Sequence, residues 1–339
     1  MYSKQCFSNW DEDTLIDSIA KFWESAEGST PIDNDVFMSN WLGWSLGCDW
    51  TLDEKTQYVE LANEIYGEDF QYILLIGVGG SSAGARAIAS LGENCPKFIF
   101  VDSVVPSVVE KISAEIGGQK TLLVISSKSG TTLETITLAN YFLDKLGDSR
   151  EPVTHKKNAI AITDSGTFLE ELAIKQNFRS IIRGKPDIGG RFAELSSYGL
   201  FPALLNKTDI SAVIDSANEM AYLCRTVVLE DNPAIPLVEF LLQNLRDGRD
   251  KLYVYLPESL SNLAMWLEQL LSESLGKDGV GIIPIIGDSD LVSPSLDLCS
   301  VMYQDLSMED ISTQNLRQCF EDHSIPIFNI KVNKPESLG

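Results

Sequence analysis

The sequence predicts an α/β fold built from two doubly wound parallel sheets with flanking helices. From Glu54 onward, short apolar runs rich in β-branched residues alternate with segments of helical period, which is typical of parallel strands joined by helical crossovers. The alternation is interrupted after Gly189 and then resumes, so a second sheet is predicted. A chain of 339 residues is also long enough for two lobes of roughly 150 residues each.

Net charge and composition exclude several classes of function. The 26 Lys and Arg residues against 49 Asp and Glu residues give a formal charge of −23, whereas nucleic-acid binding needs a basic face. The longest apolar runs, 72–78 and 280–286, are far shorter than the roughly 18 residues of a membrane span. The N-terminus shows no secretory signal. We therefore expect a cytoplasmic protein whose partners are small molecules or proteins, and neither nucleic acid nor a membrane.

The N-terminal segment, which we place at residues 1–52, is predicted to be helical. An apolar stripe of helical spacing is formed by Leu15, Ile16, Ile19, Phe22 and Trp23. A cluster of tryptophans follows, at Trp41, Trp44 and Trp50. We interpret this cluster as part of a helical cap packed on the core, and an aromatic binding platform is the alternative.

Each sheet is assigned to its own domain, the first at residues 53–205 and the second at residues 206–339. Strands of the first sheet are predicted at Tyr72–Ile76, Lys97–Val101, Thr121–Ile125, Ala159–Thr163 and Ser180–Ile182, with helices beginning near Ser82, Ser107, Thr132 and Thr167. The second domain is predicted to contain helical stretches at 209–229, 234–245, 260–275 and 313–320, and strands at 252–256, 282–286, 300–303 and 326–330.

Metal ligation is not expected. The six cysteines lie scattered without a CxxC pair, and the chain has only two histidines, His155 and His323. We interpret the cysteines as reduced and mostly buried thiols.

The first candidate site is the turn Gly77–Gly84, which follows a buried strand and opens a helix. Its glycines allow positive φ, and the N–H groups of the helix start attract an anion. A dinucleotide fingerprint is one alternative, with Asp102 as the ribose-binding acid of a nicotinamide-dependent dehydrogenase. Ser82, however, stands where that fingerprint has Gly or Ala. A purely structural tight turn is the other alternative.

The second candidate site, Ser126–Glu134, places hydroxyl groups around one glycine at a helix start. The side chains of Ser127, Ser129, Thr131 and Thr132, together with backbone N–H groups, can donate to phosphate oxygens. Helix capping by a threonine is the alternative. We favour phosphate binding, because neutral dipoles can hold an anion in a protein of negative charge.

Two further segments carry a candidate cation and a candidate base. Gly189 and Gly190 precede Arg191, whose guanidinium either stabilises a developing oxyanion or joins two segments by a salt bridge. Glu273 is predicted near the C-terminus of a helix, where the dipole disfavours a negative charge. We expect its proton affinity to be raised, as a general base working near neutral pH requires.

Taken together and in this order, the four segments resemble the phosphoglucose isomerase family, within the wider group of sugar-isomerase (SIS) domains. The matching stretches are IGVGGSSAGA at 76–85, SSKSGTTLET at 126–135, GGRFAELSSYGLFP at 189–202 and EQLLSESLGKDG at 268–279. The helical lead-in with Leu42, Gly43 and Trp44 is similar to the short branch of the family that occurs fused to transaldolase.

This resemblance implies two SIS domains and the isomerisation of glucose 6-phosphate and fructose 6-phosphate through an enediol, without a metal or an organic cofactor. Glu273 corresponds to the family's general base and Arg191 to the arginine that stabilises the enediolate. The residues implied in substrate binding are Gly79, Gly80, Ser81, Ser127, Lys128, Ser129, Thr131 and Thr132. Family members are usually homodimers, so a homodimer is expected.

The sequence departs from the family pattern at its C-terminal end. In longer members, a histidine in a GQHSFYQ-like segment follows the glutamate and helps to open the sugar ring, and a lysine lies on a late helix. Here the first histidine after Gly279 is His323, which we interpret as a surface residue. The second domain is therefore expected to be truncated or a shorter variant, and a non-catalytic sugar-phosphate-binding module is the alternative function.

Overall fold

The computed structural model describes residues 12–28, 41–48, 50–146, 158–276, 279–286, 295–306 and 311–333. Internal contacts divide them into two units. Residues from Cys48 to Ile210 form one, which we call the first-sheet unit. Described residues up to Gly47 and from Ser211 onward form the other, the second-sheet unit.

Helices and strands alternate along the first-sheet unit, whereas several helices precede the first strand of the second-sheet unit. The α-helices are α1 (Glu12–Ala26), α2 (Leu52–Tyr66), α3 (Gly80–Ala89), α4 (Pro106–Ile116), α5 (Leu133–Leu146), α6 (Phe168–Gln176), α7 (Ser197–Leu205), α8 (Ile210–Leu223), α9 (Ile235–Arg246), α10 (Ala264–Leu275) and α11 (Ile311–Asp322). Short 3₁₀ helices lie at Gly43–Leu46, Gly190–Phe192, Leu229–Asp231 and Glu258–Leu263. None of the helices in these described ranges is long and apolar enough to cross a membrane.

The first-sheet unit contains a five-stranded sheet in which every strand pair is parallel. Its strands are β1 (Tyr72–Ile76), β2 (Lys97–Val101), β3 (Thr121–Ser126), β4 (Ala159–Thr163) and β5 (Ser180–Arg183), in the order β2-β1-β3-β4-β5. From β1 the chain moves to β2 on one side and then returns to β3 on the other. The strand order therefore reverses between β1 and β3, which is where ligands bind in open parallel sheets.

Helices cover both faces of this sheet. On one face, Val109 and Ile116 of α4, Phe142 of α5 and Leu169 of α6 share a core with β1, β3 and β4. Helix α7 contacts β4 and packs on α3 and α2, and the strand residues outside that core, such as Leu122, are also fully buried. Both β3 and β4 are buried along their whole length, as expected for strands between two helical layers. The predicted doubly wound arrangement is confirmed.

The second-sheet unit contains a four-stranded parallel sheet with the order β7-β6-β8-β9. These strands are β6 (Lys251–Tyr255), β7 (Ile283–Ile286), β8 (Leu298–Asp305) and β9 (Ile327–Val332). Tyr253 packs edge-to-face on Phe320 of α11, with 5.6 Å between ring centroids. Helix α1 is joined to the end of α8 by Trp23, whose indole N–H donates to the carbonyl of Cys224 over 2.9 Å.

One predicted helix is shorter than the sequence pattern indicates. The stretch 209–229 was expected to be helical throughout, but α8 ends at Leu223. The amide of Asn232 donates to the carbonyls of Cys224 and Thr226, which turns the chain. The β-branched run from Thr226 to Val228 also favours leaving the helix there.

The aromatic contacts near the N-terminus support the packing interpretation of the tryptophans. Trp44 lies 6.1 Å from Phe22 of α1, measured between ring centroids. Trp50 lies 4.8 Å from Tyr58 of α2 and donates its indole N–H to the hydroxyl of Ser197 over 3.0 Å.

Candidate active site

The turn between β1 and α3 follows a path that requires glycine. Gly79 has φ +66°, in the left-handed region, and its carbonyl accepts the first N–H groups of α3, from Ser82 and Ala83. A Cβ on Gly77 would lie 2.9 Å from the carbonyl oxygen of Ser126, so this turn lies directly against the end of β3. Ser81, in the first turn of α3, is partly buried.

The loop after β3, residues 127–132, carries a connected set of hydroxyl groups, and we call it the hydroxyl loop. Ser127 donates to Thr132 over 3.2 Å, and the hydroxyl of Ser129 lies 3.4 Å from that of Thr132. Both the N–H and the hydroxyl of Thr131 donate to Ser129 over 3.3 Å. Ser129 and Thr131 are exposed, whereas Ser127 is buried.

Helix α5 begins at Leu133, immediately after this loop. Its first regular hydrogen bond runs from the N–H of Ile136 to the carbonyl of Thr132 over 3.0 Å. The N–H groups of a first helical turn have no partner within the helix. The hydroxyl loop therefore combines side-chain donors with the positive end of a helix dipole, which is the chemistry of an anion site.

The side chain of Lys128, in the hydroxyl loop, is held by contacts with two later segments of the chain. Its ammonium group lies 2.7 Å from the Oδ2 of Asp164 and donates to the carbonyl of Lys185 over 2.7 Å. Its side chain is 13% exposed. Tyr198 donates to the other oxygen of Asp164 over 2.6 Å, and its ring centroid lies 5.5 Å from the Lys128 nitrogen.

Residues 184–192, which we call the arginine loop, lead from β5 to residues 77–80 from the end of β1 to the start of α3, which we call the glycine turn. A Cβ on Gly80 would lie 2.4 Å from the carbonyl oxygen of Gly190 and 3.1 Å from the nitrogen of Arg191, so the two backbones are in direct contact. Arg191 lies in the 3₁₀ helix Gly190–Phe192, and its guanidinium carbon is 5.0 Å from the centroid of the Phe192 ring.

Three of the four predicted segments are thus brought together in the first-sheet unit. The glycine turn contacts the end of β3 through Gly77 and the arginine loop through Gly80. All of this lies at the carboxyl ends of β1 and β3, where the strand order reverses. The arrangement suits a ligand that carries an anion for the hydroxyl loop and an oxygen that becomes negative during a reaction.

The acid of the dinucleotide alternative has a structural partner. The Oδ2 of Asp102 lies 2.7 Å from Nη2 of Arg86 in α3, and the guanidinium of Arg86 lies over the Phe100 ring at 4.4 Å. These contacts join α3 to the end of β2. Asp102 therefore has a packing role within the first-sheet unit.

The hydroxyl loop packs against the start of α6. A Cβ on Gly130, which has φ +65°, would lie 2.4 Å from the Cβ of Thr167, the residue that caps α6. Glu170 accepts from the N–H of Gly166 over 2.5 Å and from Arg183 over 2.7 Å. The Gly166 N–H, and then the Arg183 side chain, lower the pKa of the Glu170 carboxyl.

Glu273 belongs to the second-sheet unit. It is exposed in the last turn of α10, which ends at Leu275, and its Oε1 accepts from Gln269 over 3.1 Å. Lys277 and Asp278 of the same motif lie outside the described residues, as does His155. His323 is exposed, as predicted, and its Nδ1 lies 2.8 Å from the carbonyl oxygen of Cys319.

Two residues of the site, Asp164 and Tyr198, were not among the predicted site residues, and Ser126 was predicted only as the first residue of the second candidate segment. Asp164 follows β4 directly, a position shared with the residues that follow β1 and β3, and this was the one available signal. Ser126 is fully buried, and its hydroxyl has no hydrogen-bond partner within the described part of the chain. Within those same residues, no group of three or more His, Cys, Asp or Glu side chains is arranged to hold a metal ion.

Comparisons with known proteins agree with this architecture. The family described as phosphoglucose isomerase matches residues 60–282. A probable glucose-6-phosphate isomerase of Methanococcus maripaludis is 36% identical over 244 residues, which are 69% of this chain and 54% of that protein. A glucose-6-phosphate isomerase of Rippkaea orientalis is 32% identical over 62% of this chain and 41% of that protein.

Solved structures show the same fold. The crystal structure of a glucose-6-phosphate isomerase from Chlamydia trachomatis aligns with a TM-score of 0.69 at 17% identity, over 96% of this chain and 76% of that chain. The chain belongs to the phosphoglucose isomerase family, and its fold is that of the SIS-domain sugar isomerases. It spans about half the length of the curated relatives that it matches.

Proposed function

We propose that this chain interconverts glucose 6-phosphate and fructose 6-phosphate. The observation that carries the proposal is the direct contact between the glycine turn and the arginine loop, beside the hydroxyl loop. A sugar phosphate has one anionic end and a carbonyl that becomes an oxyanion, so it matches a cradle of donors next to a fixed cation. Membership in the phosphoglucose isomerase family gives independent support.

In the proposed reaction, Glu273 takes the proton from C2 of the open-chain aldose. The electron pair of the C–H bond forms the C1–C2 double bond of a cis-enediol, while the carbonyl oxygen at C1 takes up a proton from solvent. The C2 hydroxyl then gives its proton to solvent, the electron pair of that O–H bond forms the carbonyl of the ketose, and the electron pair of the C1–C2 double bond takes the proton back from Glu273 at C1. Arg191 stabilises negative charge on these oxygens. Gly79, Gly80 and Ser81 approach the sugar.

Phosphate recognition is proposed for the hydroxyl loop. Donors that suit the phosphate oxygens are the hydroxyl groups of Ser127, Ser129, Thr131 and Thr132 and the first N–H groups of α5. Lys128 lies in the same loop, and its part is treated separately below. No cofactor or metal takes part in the proposed reaction.

A coupled assay of fructose 6-phosphate conversion tests this function. The parent chain is expected to turn over, and Glu273→Gln is expected to lose about 100- to 10,000-fold in kcat, because it removes the base. Glu268→Gln is the matched control, since Glu268 is also an exposed glutamate of α10 and lies outside the proposed machinery. It should retain the parent rate.

A second measurement follows the proton itself. In D2O, a base at C2 exchanges the C2 hydrogen of glucose 6-phosphate for deuterium, which NMR detects. The parent and Glu268→Gln should exchange it and Glu273→Gln should not. A parent chain without turnover or exchange would contradict the proposed function, and so would a Glu273→Gln chain that exchanges at the parent rate.

We further propose that the protein is a cytoplasmic homodimer and does not bind nucleic acid. The net charge of −23 disfavours polyanions, and the family resemblance supports a dimer. Light scattering should give a mass twice the 37.4 kDa of one chain. A mass of one chain at micromolar concentration would contradict the dimer.

A further inference from the structure

Lys128 joins the hydroxyl loop to the beginning of the arginine loop. Its ammonium group donates to a carboxylate oxygen of Asp164 over 2.7 Å and to the backbone carbonyl of Lys185 over 2.7 Å. Asp164 and Lys185 are 36 and 57 residues further along the chain. One side chain thus connects the loops that follow β3, β4 and β5.

Tyr198 and Gly184 complete the same cluster. The Tyr198 hydroxyl donates to the second oxygen of Asp164 over 2.6 Å. A Cβ on Gly184 would lie 2.3 Å from the Tyr198 ring and 2.7 Å from Oδ1 of Asp164. The N–H of Gly184 also donates to the carbonyl of Thr163 over 3.0 Å. The first two residues of the arginine loop are therefore fixed by backbone and side-chain contacts together.

The location of this cluster separates Lys128 from the open donors of its own loop. Ser129 and Thr131 are exposed, while the side chains of Lys128 and Asp164 are only 13% and 21% exposed. Turning the ammonium group toward a bound phosphate would leave the Asp164 carboxylate without its cation, and an uncompensated, largely buried charge is strongly unfavourable.

We propose that Lys128 is a positioning residue, which acts through Asp164 and the Lys185 carbonyl to hold the arginine loop against the hydroxyl loop. Its contribution to the reaction is then the placement of Arg191, and the phosphate is bound by the hydroxyl and N–H groups of the loop. The inference rests on the proposed isomerase function for its kinetic consequence. The placement of the arginine loop by Lys128 is independent of that function.

The division of the effect between kcat and phosphate affinity tests the proposal. Lys128→Met is expected to lower kcat roughly 10- to 100-fold, because a small misplacement of a reacting group has effects of that size. The Kd for inorganic phosphate, measured by calorimetry, should change by less than about threefold. A Kd that weakens tenfold or more with an unchanged kcat would overturn the proposal, since that is the behaviour of a direct phosphate ligand.

A double-mutant comparison asks whether the effect passes through Arg191. In an Arg191→Ala background, Lys128→Met should lower kcat by no more than about twofold further, because residues that act as a unit are not additive. A full additional 10- to 100-fold loss would overturn the proposal. Lys128→Arg, which keeps the cation, should recover most of the rate.

A matched ion pair at the amino ends of the strands serves as the control. Arg179 and Glu68 lie 2.7 Å apart, the Arg179 side chain is 14% exposed, and Glu68 precedes β1. Glu68→Gln should lower stability without changing kcat. If Lys128→Met does not fold, Asp164→Asn and Tyr198→Phe test the same cluster. Both should lower kcat more than phosphate affinity, and variants that weaken phosphate affinity alone would contradict the proposal.

Hydrogen exchange separates this inference from the proposed function. Lys128→Met should accelerate amide exchange in residues 184–193 of the ligand-free protein, and Glu68→Gln should not. If the parent chain has no turnover, the isomerase proposal fails while the exchange result still decides whether Lys128 holds the arginine loop. Unchanged exchange in that segment would overturn the positioning role.

Discussion

Replacing Gly80 by alanine tests the contact between the glycine turn and the arginine loop. The added Cβ would lie 2.4 Å from the carbonyl oxygen and 2.6 Å from the carbonyl carbon of Gly190. Both are backbone atoms, so no side chain can rotate away. Real Cβ atoms essentially never come within 3.0 Å of another atom, so the two segments must separate by at least 0.6 Å.

The expected loss of stability follows from two opposing effects. Alanine is a better helix former than glycine by at most about 1 kcal/mol, whereas overpacking a tight contact costs about 1–3 kcal/mol. We expect the free energy of unfolding to fall by about 1–2 kcal/mol, which lowers the Tm by roughly 2–8 °C for a unit of this size. Calorimetry measures this change directly.

Gly190→Ala is the matched control, because a Cβ on Gly190 has nothing within 4 Å. Its Tm should stay within about 1 °C of the parent, as expected for an unstrained change of small effect. In the coupled assay, Gly80→Ala should also lower kcat by more than its loss of stability explains, since the displaced segment carries Arg191. A Gly80→Ala protein as stable as the parent would refute the reasoning, and so would equal destabilisation by Gly190→Ala.

Three further experiments examine separate features. Because the Gly166 N–H and Arg183 lower the pKa of Glu170, the stability contributed by its ionised form is present above the unfolded pKa and is lost as pH falls through the folded one. The Tm difference between the parent and Glu170→Gln should therefore shrink below about pH 4.3, and a constant difference would contradict this. The Kd for inorganic phosphate should be equal or lower at about 150 mM NaCl than at about 10 mM NaCl, because salt screens repulsion by the net negative charge. Weaker binding at the higher salt concentration would indicate an unpaired cation at the site. Burial raises the pKa of the Cys299 thiol to about 11, so a thiol reagent at about pH 8 should label exposed Cys95 long before Cys299, and peptide mass mapping that shows equal rates would count against the described packing.

The elements of the fold were predictable because each has a strong local signal. The strands β1, β2 and β4 have the predicted bounds, since buried parallel strands are continuous apolar runs bordered by polar residues. Helix α8 ended earlier than predicted because its end depends on Asn232, whose amide binds the carbonyls of Cys224 and Thr226. A contact of this kind leaves no periodic pattern in the sequence.

Side-chain partners were the part of the site that local patterns did not contain. Spacing alone suggested Asp102 as a ribose-binding acid, and its ion pair with Arg86 depends on how α3 lies against β2. Lys128 is a residue type that commonly binds phosphate, and only the fold brings Asp164 and Lys185 to its ammonium group. The residue types at the site were readable from the sequence, whereas the direction of each side chain was not.

The pairing of Lys128 also bears on the proposed phosphate site, which lies in a protein with a formal charge of −23. With Asp164 compensating the ammonium group, the groups left facing solvent in this loop are neutral hydroxyls at the start of a helix. Ser127, Ser129, Thr131 and Thr132 already bond to one another, so their oxygens are held close together before a ligand arrives. Neutral dipoles act at contact distance and exert no long-range electrostatic attraction on the many other anions of a cell. Affinity in such a loop depends on the fit of a phosphate among fixed donors. The ammonium group of Lys128 is then not needed as a phosphate ligand, so it can serve in positioning Arg191.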